Sequence, residues 1–166
     1  MSRGRPPRRV RFQPATNMIS VVINRATTLT PGELERMMAP VHRSLKALRE
    51  GVASELQWST LASSVEIALS IEAQGVVRGL AEHLQSAELA LAEIRKRAMA
   101  TGAWHATALY YQELDDIVEA VRLHEYQLEQ LSTREVTRAV DLAKMRVRQA
   151  GGQIIDVRFL KEGVAA

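Results

Sequence analysis

A chain of 166 residues, 46% hydrophobic and one quarter charged, has the length and composition of one globular domain that can bury its own core without staples. It contains no cysteine, which excludes a disulfide framework, a thiolate zinc site and a cysteine nucleophile. The net charge of +3 hides an asymmetry: residues 1–30 carry six arginines and no acid, while the rest holds 16 basic and 19 acidic residues.

The chain opens with Arg3, Arg5, Arg8, Arg9 and Arg11 among Pro6, Pro7 and Pro14. Guanidiniums on a proline-broken backbone cannot build a core, so residues 1–29 read as a basic arm. Arginine forks suit phosphates. Five of them on duplex phosphates would give a logarithmic salt slope of about −4.5, and an acidic protein surface is the alternative partner. The same prolines spoil the amphipathic helix of a transit peptide. "MISVVI" at 18–23 is too short for a signal core, and no apolar run approaches the roughly 18 residues that would cross a bilayer. A cytoplasmic protein with no membrane partner is the expectation.

All five prolines lie at or before position 40, which predicts an all-α body across residues 30–150, built as an antiparallel helical bundle or a long helical hairpin. "TPGE" at 30–33 is a capping box with proline at the first helical position. Leu34, Met37, Met38, Val41, Leu45 and Leu48 then mark one helical face, with a kink or break expected at Pro40. Ser54 with Gln57 opens a second helix that carries Trp58, Leu61, Val65, Leu69 and Ile71 to Gly75.

From Val77 the apolar residues Leu80, Leu84, Ala87, Leu91, Ile94 and Ala98 are separated alternately by 3 and 4 residues, the seam of helices packing at a shallow angle. This seam is the candidate core or homo-oligomer interface. If Gly75 and Gly79 only bend the chain, 54–100 is one rod of about 70 Å; if they break it, there are two helices. A further helix is expected near Trp104, running through Leu109, Leu114, Ile117, Val121 and Leu128, with one tyrosine of Tyr110–Tyr111 turned to the core. "STRE" at 132–135 predicts a break and a last helix bearing Val136, Val140, Ala143 and Val147. Connections of two to four residues were expected between these helices. Residues 151–166 form a C-terminal extension, whose "QIIDVRFL" at 153–160 could pair with 18–24 as a small two-stranded ribbon.

Motifs for catalysis are absent. No glutamate has a histidine three residues later, so a di-iron bundle lacks its ligands. "HEYQL" at 124–128 lacks the second histidine of a zincin helix, so His124 and Glu125 read as helix surface or core edge. No nucleophile elbow, dinucleotide fingerprint or phosphate loop occurs. No metal, cofactor or catalytic residue is expected, and the sequence reads as non-enzymatic.

Two basic clusters remain, Arg95, Lys96 and Arg97, and Lys144, Arg146 and Arg148. Both fall where helices should end and where cations favour the carbonyl terminus; with the arm they are the candidate contacts for nucleic acid, a nucleoprotein or an acidic partner. Eighteen arginines against four lysines, with abundant alanine, fit a GC-rich bacterial genome or a phage or mobile element within one. The resulting expectation is a helical accessory or regulatory protein that touches nucleic acid, or alternatively an assembly protein that oligomerises through its long helices.

Overall fold

The computed structural model describes residues 26–152, and five helices are defined among them: α1 (Pro31–Arg49), α2 (Glu55–Gln74), α3 (Ala81–Ala98), α4 (Tyr111–Gln130) and α5 (Thr133–Gln149). The class is all-α, and no strand forms among the described residues. Residues 1–25 of the basic arm, which hold all of its arginines, and the two segments proposed as a ribbon lie outside them.

Three of the five starts are made by side chains that sequence alone identifies. Thr30 donates its N–H and hydroxyl to the Glu33 carboxylate at 2.8 and 2.6 Å, and its oxygen accepts the Glu33 N–H at 3.3 Å. Ser54 with Gln57 and Ser132 with Glu135 repeat the reciprocal arrangement. Each box satisfies amide groups that a helix N-terminus would otherwise leave unpaired. Hydrogen bonds from Thr30 and from Ser132 hold the Glu33 and Glu135 carboxyls below the usual carboxylate range.

Helix α1 runs unbroken through Pro40, so the expected break does not occur. Proline removes one amide donor, but its ring is buried and the Ser44 hydroxyl donates to the Pro40 carbonyl at 2.8 Å. The cost of the lost bond is met by packing within the core.

Between α2 and α3 the chain breaks, and the 70 Å rod is not formed. Gly75 adopts φ 77° and Gly79 φ 91°, both in the left-handed region that only glycine enters without strain. A side chain at Gly75 would also meet the Arg78 guanidinium at 2.6 Å. Helix α3 has no side-chain cap from its own N-cap residue; instead Glu72, near the end of α2, accepts the Gly79 and Leu80 N–H groups at 2.7 and 3.3 Å. Val77 and Leu80 therefore sit in the connection, partly buried against the core, rather than on the seam of a continuous helix.

The next helix begins at Tyr111, seven residues later than its apolar spacing suggested. Residues 99–110 cross the molecule as a strap, pinned where the Trp104 indole donates to the Ala53 carbonyl at 2.9 Å and where the Trp104 ring meets Trp58 at 5.9 Å between centroids. Tyr110 and Tyr111 are both exposed, contrary to the expectation that one would face inward. The connections 50–54, 75–80 and 99–110 are longer than predicted, and only 131–132 is as short.

Helix α2 packs against each of the four others. Around it Met38, Leu61, Ile71, Leu84, Leu91, Ile94, Ile117, Leu128 and Leu131 are almost wholly buried in one apolar cluster. Its small polar residues allow close approach: Thr60 and Ser64 turn their hydroxyls back onto the Leu56 and Leu61 carbonyls at 2.9 and 2.7 Å, so burial leaves neither hydroxyl unpaired.

Candidate nucleic-acid interface

The predicted site residues separate on the surface. Arg97 is committed to structure: its two terminal nitrogens reach the Glu113 carboxylate at 2.7 and 2.6 Å, joining the end of α3 to the start of α4. Its guanidinium also lies 4.7 Å from the Tyr110 ring centroid, and the same carboxylate accepts the Tyr110 N–H at 2.9 Å. Burial alone would raise the Glu113 pKa, but the Arg97 bonds, the Tyr110 amide and the guanidinium charge together hold it below the usual carboxylate range. A guanidinium locked in this way is not a phosphate contact.

Its neighbours keep their charges outside. Arg95 stands over the Trp58 ring at 5.6 Å, and Lys96 lies 3.6 Å from Glu93 in an exposed pair that adds little to stability. On α5, Arg146 is exposed and is felt electrostatically by Glu66 of α2. Lys144 is half-buried and partnered, whereas Arg148 is exposed.

Beyond this last cluster α5 carries more arginines. Val136, Ala139, Val140 and Ala143 face the core; at 100° per residue the opposite ridge is Arg134, Arg138, Asp141, Met145 and Arg148, all exposed. Arg134, Arg138 and Arg148 form no salt bridge among the described residues. They project from one line at separations of about 6 and 15 Å along the helix axis. Thr133, Thr137 and Leu142 join the ridge in bordering an open hollow of about 530 Å³. A helical wheel drawn from the Ser132 cap would have found Arg134 and Arg138.

The root of the arm reaches this same ridge. Thr28 pairs with Ser132 as an antiparallel bridge, the Leu29 N–H donates to the Leu131 carbonyl at 3.3 Å, and the Thr133 N–H donates to the Thr27 carbonyl at 3.4 Å. The chain thus joins the body beside the first turn of α5, next to Arg134. Backbone hydrogen bonds bring the base of the arm, 16 residues after Arg11 in sequence, to one end of the arginine ridge.

The seam and the histidines fall elsewhere. Leu84, Ala87, Leu91, Ile94 and Ala98 are buried within the chain's own fold, so these residues are not exposed for an oligomer contact. His124 is buried rather than at the surface or core edge. Loss of solvent lowers its pKa to about 4, against a smaller opposing effect of Gln127, so it is neutral at pH 7. Glu125 turns away and lies 3.5 Å from His42. Among the described residues no three histidine, aspartate or glutamate side chains converge on a possible metal position, and no helix is long and apolar enough to cross a membrane.

Comparisons with protein-family models, curated proteins and solved structures give no match to this chain.

Proposed function

We propose that the chain is a non-enzymatic helical accessory or regulatory protein that grips the phosphate backbone of nucleic acid, bare or within a nucleoprotein, with its N-terminal arginines and the outer ridge of α5. The helices form a bundle around α2 and act as a rigid mount. A phage or mobile element in a GC-rich host is the genomic setting that the arginine-rich composition fits.

The observation that carries this reading is the junction at Thr28 and Ser132, which joins two separate sources of positive charge. Neither is strong alone. An arm of five arginines is a short electrostatic contact, and three arginines interrupted by Asp141 are a weak patch. Joined at one point, they offer eight guanidiniums to a single polyanion, with the folded ridge restricting the volume the arm must search. The phosphate backbone suits such a charge distribution because it needs no shape-matched pocket.

Counterion release turns this into a measurement. With all eight contacts made on a mixed-sequence 24-base-pair duplex, fluorescence anisotropy between 50 and 300 mM NaCl should give a logarithmic slope of about −7. Removing residues 2–12 should bring it to about −3, and replacing Arg134, Arg138 and Arg148 by alanine should leave about −4.5. Affinity and slope unchanged after both alterations would refute the proposal, as would equal capture of a poly-glutamate peptide of matched charge, which would point to an acidic protein partner.

A further inference from the structure

A second surface feature lies apart from the arginine ridge. An open groove of about 440 Å³ runs between α2 and α3, lined with Trp58, Ala62 and Val65 on one side and Leu91 and Ala92 on the other. Its size is that of a small-molecule site rather than a protein interface. From Thr60 to Ile71 the only residues of α2 that are not buried are Ala62 and Glu66, and both open onto this groove. Apolar surface is left uncovered on the helix that otherwise covers itself most completely.

The two ends of the groove carry opposite charge. At one end the Trp58 indole is held flat against α3 by donating to the Leu91 carbonyl at 3.0 Å; Arg95 stands over the ring, and Lys96 and Met99 lie beyond it. At the other end Glu66 and Glu88 line the groove together, and the Glu88 charge acts on the Glu66 carboxyl. Burial and the neighbouring Glu88 carboxyl raise the Glu66 pKa, a cost that a cation placed between the two side chains would offset. Seven residues of α3 separate Glu88 from Arg95, about 10 Å of apolar wall between the carboxyl pair and the cations at the Trp58 end.

We propose that this groove binds a small apolar or aromatic molecule bearing a protonated amine, with the ammonium between Glu66 and Glu88 and the apolar body along Val65, Leu91 and the face of Trp58. The cation favours the ionised form of Glu66, and a hydrophobic body covers the exposed wall. Arg95 and Lys96 fix the orientation, because an ammonium at their end would be repelled. A carboxylate or phosphate on the far end of the ligand, about 10 Å from the amine, would add a favourable contact there.

The binding has a pH signature. Burial, followed by the nearby Glu88 charge and hydrogen bond, raises the Glu66 pKa, while Arg146 from α5 opposes the rise. An amine that pairs with ionised Glu66 binds best above the raised pKa of that group and loses affinity as pH falls through it.

The test uses the full chain and three probes sharing one body: 4-phenylbutylamine, 4-phenylbutanol and 4-phenylbutyrate. In two-dimensional ¹⁵N NMR the amine should shift the Trp58 indole resonance and bind at least about tenfold more tightly than the alcohol, a difference of one ion-paired contact. Glu66→Gln with Glu88→Gln should reduce amine binding to the level of the alcohol while leaving alcohol binding unchanged. Glu88→Gln alone, at an exposed position, should give part of that loss and serves if the double variant does not fold. Equal binding of all three probes, retention of amine binding in the glutamine variants, or no shift at 10 mM amine would each overturn the proposal.

Discussion

From Thr60 to Ile71, α2 exposes only parts of Ala62 and Glu66, whereas α5, three residues shorter, buries just Val136, Ala139, Val140 and Ala143 and turns a row of arginines outward. The first helix packs against all of the other four and supplies the centre of the apolar cluster. The second rests on the core by one narrow stripe and contributes charge. A helix buried on nearly every side must be central, because no single partner can cover it. A helix with one small-residue stripe and an arginine ridge is placed to meet something else, and its outer residues are free to vary without loss of fold.

The sharpest way to break this contrast is to remove bulk from α2. Leu61 is completely buried, and Leu61→Ala should cost about 2–5 kcal/mol through lost transfer energy and the cavity left behind. Urea denaturation at neutral pH measures it. A cost below about 1 kcal/mol would mean that α2 is not the centre of the packing.

Acid probes the same interior from α4. His124 is buried, with no hydrogen-bond partner for its Nδ1 among the described residues, and Gln127 beside it donates to the Ala68 carbonyl of α2 at 3.2 Å. The imidazole titrates near 4 in the fold against about 6.5 in the unfolded chain. Between these values the unfolded chain takes up a proton that the folded chain refuses. Stability is therefore intact above pH 6.5 and falls by up to about 3 kcal/mol as pH drops toward 4. Urea midpoints at pH 7.5, 5.5 and 4.5 should show the decline in the native chain and a much flatter profile in His124→Gln. Parallel profiles would place the acid sensitivity in another group.

Much of this architecture was written in local sequence. The boxes at Thr30–Glu33, Ser54–Gln57 and Ser132–Glu135 announced three helix starts because each is completed within four residues. What needed partners far along the chain was not legible. Trp104 and Leu109 precede the apolar face that Leu114, Ile117 and Val121 continue, yet a hydrogen bond to Ala53, 51 residues away, makes their segment a strap. Arg97 had a suitable acid in Glu93 one turn earlier but binds Glu113, 16 residues on. The burial of His124 depends on what α2 places against it, which no spacing within α4 reveals. Of the candidate interface, the charge of the arm was plain, but its junction with α5 is tertiary.

The Arg97 fork gives an intermediate effect, since it joins two helix ends at the border between core and surface. Glu113 is 13% exposed and Arg97 26% by side chain. Glu113→Gln should destabilise by about 1–3 kcal/mol at pH 7, the range for a charge-assisted bond. Because the folded pKa of Glu113 is lowered, its contribution is present above the usual carboxylate range and disappears as pH falls through the folded value. The native chain and Glu113→Gln should therefore draw together in stability as pH is taken below the usual carboxylate range, as followed by thermal melts. A difference that persists there would assign the effect to packing rather than charge.

Arg138 tests the other side of the contrast, where stability should hardly respond. Its side chain is exposed, with no salt bridge among the described residues, so Arg138→Ala should alter unfolding free energy by no more than about 0.5 kcal/mol. If the ridge tracks phosphates, the same substitution removes one counterion-releasing contact and flattens the logarithmic salt slope by about 0.9. Both readings come from one purified variant, by urea titration and by anisotropy on the duplex. A stability loss comparable to that of Leu61→Ala would mean that α5 uses this ridge to hold the fold. An unchanged slope with unchanged stability would leave Arg138 outside the contact and shift the ridge toward Arg134, which lies nearest the Thr28–Ser132 bridge and the root of the arm.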